Sequence, residues 1–307
     1  MVLTGTRETS ESLYAVGVAD DVSEILHRAP ITPSYRRALT SALEVHGRIL
    51  SASPDVRWTR CVVTCCITAG GCPTQAIPIA AAIEVFMVAL ELLDDEEDAE
   101  PSSLCAALSS ACLLNVSTGL LILAQQALTQ AGGTHAATVL QDWALRSCGG
   151  QDADLGGPEP ATVGLAESLA VTGQKSGSLV AAACQLGALA AGAESVRQTL
   201  YAQFGSCVGV VAQLANDLKA VMPGTEGNTD EELQRPTLPL VYSARRSSPG
   251  GGRVEAVPDA ASPVGTASLA LTWVVAEANR RRALDLIALL TPDQSAQRQL
   301  AGLVGTL

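Results

Sequence analysis

Aromatic side chains are scarce: two Phe, four Tyr and three Trp occur in a chain of 307 residues. Ring faces are what stabilise an enclosed cation, so the sequence offers little of that chemistry. Basic residues are also few. Nineteen Lys and Arg stand against 31 Asp and Glu, a formal charge of -12 with a sequence pI near 4.7. Nucleic-acid surfaces neutralise phosphates with Lys and Arg, so no nucleic-acid partner is expected, and an anionic substrate needs help from a cation. The opening stretch MVLTGTRETSESLY lacks a basic region followed by an apolar one, and the longest apolar run is interrupted by Glu84. No signal peptide and no transmembrane segment are expected, and the chain reads as soluble and cytoplasmic. Nine cysteines are present, densest at CVVTCC (61–66) and Cys72, but the number is odd and no His lies within fourteen residues of that cluster. A disulfide framework or a zinc site is a poor fit, and the thiols read as small core hydrophobes.

What is abundant is apolar periodicity. The apolar fraction of 48% supports a sizeable core. Apolar positions recur at helical spacing throughout, and strict alternation never persists for more than a few residues. The fold class expected is all-α, a large single-domain bundle spanning 1–307 around a central cavity, with 1–30 a loosely ordered N-terminal segment. Pro, Gly and Ser clusters at 27–34, 67–74, 148–162, 222–237 and 247–263 delimit helices. These are expected near 34–52, 57–69, 74–98, 102–131, 134–147, 162–191, 193–222, 237–245, 263–290 and 292–305.

The most apolar helical run, AIPIAAAIEVFMVAL (76–90), ends in LLDDEEDAE, six acids within the seven residues from Asp94 to Glu100. A helix C-terminus already carries partial negative charge, so exposed acids there are repelled by about 0.3–1 kcal/mol each, and something positive is expected nearby. Asp94 and Asp98 stand four apart and stack on one helix face, with Asp95 about 100° round the axis. Such carboxylates suit magnesium, which keeps several waters and takes one or two carboxylates plus substrate phosphates. A second apolar helix, VVAQLANDLKAV (210–221), carries Asn216 and Asp217 with Gln213 one turn earlier. The two acid-bearing helices are expected to face one another across a cavity.

Together these segments resemble the trans-polyprenyl synthetase family of class I isoprenoid synthases. The likeness runs from about Arg57 to Tyr242. IPIAAAIEVFMVALELLDDEED is similar to the family's first-motif helix; GQKSGSLVAAACQLGALAAG (173–192) to its Lys-Thr segment; VVAQLANDLKAV to the second acidic helix; and LQRPTLPLVYSA (233–244) to its basic segment ending in Thr-Leu-Pro. The resemblance implies catalysis by Asp94, Asp95, Asp98, Lys175 and Asp217, with three magnesium ions held by Asp94 and Asp98 and by Asn216 and Asp217. Lys175 and Arg235 would contact the diphosphate, alongside Gln213. Metals and fixed cations neutralise a diphosphate leaving group without a proton and release an allylic carbocation. Leu90 and Ala89, four and five residues before the first Asp, with Phe86 a turn deeper, would bound a chain pocket of medium depth.

The sequence also departs from the family. The acceptor-binding Gly-Gly-Lys-Arg-x-Arg-Pro segment aligns with DVRWTRCVV (55–63), leaving Arg57 and Arg60; the His position is Met87; and no arginine follows the first motif in PSSLCAALSSACLL. Asn216 replaces an Asp in the second motif, and Ala220 stands at its last position. The expected activity is therefore magnesium-dependent ionisation of an allylic prenyl diphosphate and transfer to an acceptor other than isopentenyl diphosphate. A terpene synthase acting on a single prenyl diphosphate is the alternative, disfavoured for multi-ring products by the few aromatics, of which Trp58, Trp143 and Trp273 are the candidates to line a cavity. A non-catalytic binding homologue is a third reading. The resemblance also implies a homodimer.

Overall fold

A computed structural model describes residues 5–51, 55–98, 108–157, 159–221, 235–247 and 264–305. Among these residues there is no strand. Eleven α-helices are described: α1 Gly5–Arg28, α2 Pro33–Ser41, α3 Arg57–Ala69, α4 Pro73–Glu97, α5 Ser110–Leu155, α6 Leu165–Thr172, α7 Ser178–Ala190, α8 Ser195–Ala220, α9 Leu238–Ser247, α10 Thr266–Leu290 and α11 Gln294–Ala301. Two wide π-turns interrupt the series, Ala42–His46 after α2 and Gly173–Gly177 between α6 and α7. The all-α expectation holds.

The chain divides into two compact units, residues 1–140 with 183–199, and 141–182 with 200–307. In the first, α4 is the core rod. Its residues from Ile79 to Ala89 are all buried, and α3 and α1 pack against it. Pro73 at its first turn has no N–H to leave unsatisfied, and the Cys72 backbone N–H donates to Gln75 Oε1 at 2.8 Å, so the helix starts sharply. Cys61, Cys65, Cys66 and Cys184 are buried in this unit, as core hydrophobes would be, and burial helps to push the Cys61 thiol well above its ordinary range, behind a thiol hydrogen bond with Cys184. Cys72 is the exception to that reading, exposed at the α4 cap. In the second unit, Val210, Leu214 and Leu238 form a buried cluster, with Leu165, Leu169, Val275 and Ala276 packed around it.

Four boundaries differ from expectation. The N-terminal segment, expected to be loosely ordered, contains α1, because Ala15, Val18, Val22 and Leu26 recur every three or four residues and are buried. The helix expected to run to residue 52 ends at His46. There the Gly47 N–H bonds to the Ala42 carbonyl five residues back, and Arg48 takes a left-handed φ of 52°. The helix expected over 162–191 is split by the second π-turn. The glycine-rich stretch 148–162, expected as a loop, is helical to Leu155. The expected break before residue 134 does occur inside α5, at Gly133, whose φ of 72° and ψ of -177° lie outside the helical region. Parts of the expected helices and loops at 102–107, 222–234 and 248–263 fall outside the described residues.

Two helices, α4 and α5, are long and apolar enough to cross a membrane; the apolar window of α4 is 72% buried inside the protein, as befits a core helix.

Gly150 explains the continuation of α5. A side chain there would run into the backbone of Gln174 and Lys175, so the absent Cβ is what lets α5 lie against the second π-turn. Gly150→Val is expected to destabilise the fold by about 1–3 kcal/mol, through overpacking of that contact, in denaturant unfolding; unchanged stability would show that the contact is not close.

Candidate functional site

The acids of α4 are spaced so that Glu84, Glu91, Asp94, Asp95 and Asp98 fall on one side of the helix. Their apolar neighbours Phe86, Met87 and Ala89 are buried, while Leu90 is partly exposed. Asp98 is the C-cap, its N–H bonded to the Asp94 carbonyl at 2.9 Å, so the two carboxylates leave one and the same final turn.

The polar partners of this run come from two places that sequence reasoning did not connect to it. The π-turn brings His46 against α4, with Nε2 3.7 Å from Glu91 Oε2 and Nδ1 3.6 Å from Asp95 Oδ2. At the start of α3, Arg57 spans two acids, with Nε 3.4 Å from Asp55 Oδ2 and a terminal nitrogen 3.9 Å from Glu91 Oε1. Trp58 also helps to hold the Glu91 carboxyl down. Burial nonetheless pushes the Glu91 carboxyl upward, with Arg57 and His46 pulling it back. Arg60, also a predicted acceptor contact, lies one turn further along α3 and is partly exposed.

Glu84, noted in the sequence only as an interruption, is a buried carboxyl that takes two hydrogen bonds on one oxygen. Thr59 N–H donates to its Oε1 at 2.6 Å and Thr59 Oγ1 at 2.7 Å. Desolvation lifts its pKa from 4.5 to about 7, against the pull of those bonds.

In the second unit the predicted residues assemble around carboxylates. Lys175 sits in the π-turn, with Nζ 2.9 Å from Asp154 Oδ2 and its backbone carbonyl accepting from Ser147 Oγ at 2.7 Å. Arg235 is buried, its guanidinium 4.0 Å from the same Asp154 oxygen. The segment carrying it is pinned by Ser168 Oγ, which donates to the Pro236 carbonyl at 2.8 Å. Lys175 and Arg235, 60 positions apart in sequence, are thus brought to one point by Asp154, a residue that sequence reasoning missed. The signal lay in QDADL (151–155), hidden by its glycine-rich surroundings.

The second motif forms a chain of hydrogen bonds. Ser176 Oγ bonds to Gln213 Oε1 at 2.6 Å, and Gln213 Nε2 donates to Asp217 Oδ1 at 2.9 Å. Asp217 is 2% exposed. Asn216 is exposed, its side chain leaving the helix about 100° from that of Asp217, and no described hydrogen bond joins the two.

Among the described residues no group of three or more His, Cys, Asp or Glu side chains is gathered tightly enough to cage a metal by itself. That is compatible with magnesium, whose remaining positions go to water and substrate phosphate. Asp94 and Asp98, on one turn, are the hard oxygen donors that could hold such an ion.

A family model described as polyprenyl synthetase matches residues 53–257. The chain belongs to the polyprenyl synthetase family. Within that family it is 29% identical over 202 residues to a (2E,6E)-farnesyl diphosphate synthase of Mycobacterium bovis (strain ATCC BAA-935 / AF2122/97), covering 61% of this chain and 56% of that protein. It is 28% identical over 194 residues to a nonaprenyl diphosphate synthase of Mycobacterium tuberculosis (strain ATCC 25618 / H37Rv), covering 56% of each. The matches thus span about half the length of these curated relatives. Among solved structures, a polyprenyl synthase from Caulobacter crescentus CB15, complexed with calcium and isoprenyl diphosphate, superposes with a TM-score of 0.79 at 21% identity, over 95% of this chain and 94% of that one. A geranylgeranyl pyrophosphate synthetase from Pyrococcus horikoshii Ot3 gives 0.75 at 19% identity, over 96% and 98%. The polyprenyl synthetase fold is therefore that of an all-α isoprenoid synthase.

The raised pKa of Glu84 has a consequence for stability. Its contribution is fully present below pH 4.5 and is lost as pH rises through about 7, where the folded protein must bury a charge. Glu84→Gln, which mimics the protonated carboxyl, is expected to gain on the native protein as pH rises from 5 to 8, by at most roughly 3 kcal/mol in denaturant unfolding. Identical pH dependence in the two proteins would contradict the assignment.

Proposed function

We propose that this polyprenyl synthetase family member ionises an allylic prenyl diphosphate with the help of magnesium and transfers the prenyl group to an acceptor other than isopentenyl diphosphate. The observation that carries the reading is the convergence of Lys175 and the buried Arg235 on Asp154. Two cations fixed at one point, one of them with a planar fork of donors, match the oxygens of a diphosphate. Asp94 and Asp98 would hold magnesium, Asp95 would support them from its contact with His46, and Asp217, oriented by Gln213, would hold a further ion with Asn216. Magnesium supplies the charge neutralisation that turns diphosphate into a leaving group.

The chain's own residues would do the rest. Lys175 and Arg235 would bind and orient the diphosphate oxygens. Phe86, Ala89 and Leu90, on the apolar stretch of α4, would set how long a prenyl chain is accepted. Against ordinary elongation stands the engagement of Arg57 by Asp55 and Glu91, together with Met87 at a position where the family resemblance calls for a histidine. A homodimer is supported by the exposed apolar side of α5, where Leu114 is 48% and Ile122 is 54% exposed. A cytoplasmic location is part of the same reading.

The test is incubation with magnesium and geranyl, farnesyl or geranylgeranyl diphosphate, with and without isopentenyl diphosphate. The expected result is magnesium-dependent diphosphate release without a lengthened prenyl diphosphate, cut by at least about 100-fold in Asp94→Ala. A longer diphosphate formed only with isopentenyl diphosphate would overturn the acceptor reading, and near-normal release by Asp94→Ala would overturn the metal assignment.

A further inference from the structure

The link between α1 and α2 is four residues long, 29–32, so the two helices form a hairpin in which residues close to the turn on one helix lie close to the turn on the other. Between them and the π-turn that follows α2 is a pocket of about 420 Å3, within the range of small-molecule sites. It belongs wholly to the first unit, and none of the residues lining it is among those assigned above to the prenyl diphosphate.

The charge of the lining is polarised. On α1, Asp20 and His27 stand seven apart, on one face and separated by a rise of about 10 Å. Arg36 and Glu44 stand eight apart along α2 and the π-turn. The hairpin therefore gathers His27 and Arg36 at the end beside the turn and leaves Asp20 and Glu44 at the other. Leu26 and Leu50 add apolar surface to the wall.

The guanidinium of Arg36 has donors to spare. Among the described residues it meets no carboxylate, and its one hydrogen bond runs from a terminal nitrogen to the Ala29 carbonyl at 3.0 Å. Its Nε is shielded from water and has no acceptor. A desolvated donor without an acceptor costs about as much as a lost hydrogen bond, and a carboxylate arriving at the edge of the guanidinium removes that cost while accepting two parallel bonds. His27 adds an N–H at the same end in either of its protonation states. At the far end, Asp20 and Glu44 are exposed carboxylates in no ion pair among the described residues, and as carboxylates they accept but cannot donate.

We propose that this pocket binds a short zwitterion, its carboxylate held by Arg36 and His27 and its ammonium by Asp20 and Glu44, with the methylenes between them lying on Leu26 and Leu50. A simple anion would set its charge against Asp20 and Glu44, and a simple cation would leave the Arg36 Nε unmet. Opposite charges at the two ends of one molecule satisfy both. The π-turn ties the site physically to the first acidic motif, because Glu44 lines the pocket and His46, two residues on, reaches Glu91 and Asp95.

The probe is 6-aminohexanoate, whose charges lie about 7 Å apart when the molecule is extended. It is compared with hexanoate and hexylamine, each lacking one of the two charges, by calorimetric titration into the full chain at neutral pH. The zwitterion is expected to bind with a Kd of about 1 mM or lower, at least about 10-fold more tightly than either single-charge probe. Arg36→Gln is expected to bring its affinity down to that of hexylamine, and Asp20→Asn combined with Glu44→Gln to that of hexanoate. Both carboxylates are exposed, so the double variant keeps the fold, which an unchanged circular dichroism spectrum checks. Equal affinity for the three probes, zwitterion binding unchanged in either variant, or no binding of the zwitterion at all would overturn the proposal.

Discussion

A carboxylate taken out of water must meet a counter-charge or a donor, or it will protonate, and α4 carries a file of carboxylates from Glu84 to Asp98 along one side of the most apolar rod in the protein. Much of the first unit answers that demand. The π-turn after α2 delivers His46, the start of α3 delivers Arg57 and Trp58, and Thr59 places both its donors on Glu84. These contacts still leave Glu84 and Glu91 raised, with burial the largest cause.

The second unit is organised by the opposite need. Arg235 is a buried cation and Lys175 a partly buried one, and Asp154 is the anion that brings them together. Their placement depends on backbone features rather than on salt bridges alone. Gly150 lets α5 lie against the π-turn that carries Lys175, and the Ser168 hydroxyl fixes the Pro236 carbonyl next to Arg235. Ion pairs drawn partly out of water contribute little net stability, because desolvation offsets attraction; what they provide is position.

The helices were largely legible in the sequence, because 3.6-residue periodicity and Pro or Gly punctuation govern them. The helix over 57–69 is read to the residue, and α4 differs by one at each end. The failures have separate causes. Gly149 and Gly150 read as a breaker, but tertiary packing against Lys175 made use of the missing side chain, and α1 was overlooked because its apolar stripe is narrow within a polar sequence. Of the site, the acids and Lys175 stood out by spacing and resemblance. His46, Glu91 and Asp154 did not, since their meaning lies in contacts between elements distant in sequence. Glu84 looked like a blemish in an apolar run until its Thr59 bonds showed a placed carboxyl.

The measurement that bears most directly on the carboxylate file is a calorimetric titration of magnesium into the full chain, with and without a non-ionising thiodiphosphate analogue of farnesyl diphosphate. The account predicts tight magnesium binding only when the analogue is present, and its loss in Asp94→Ala. Analogue binding that is indifferent to magnesium, or magnesium binding that survives Asp94→Ala, would contradict it.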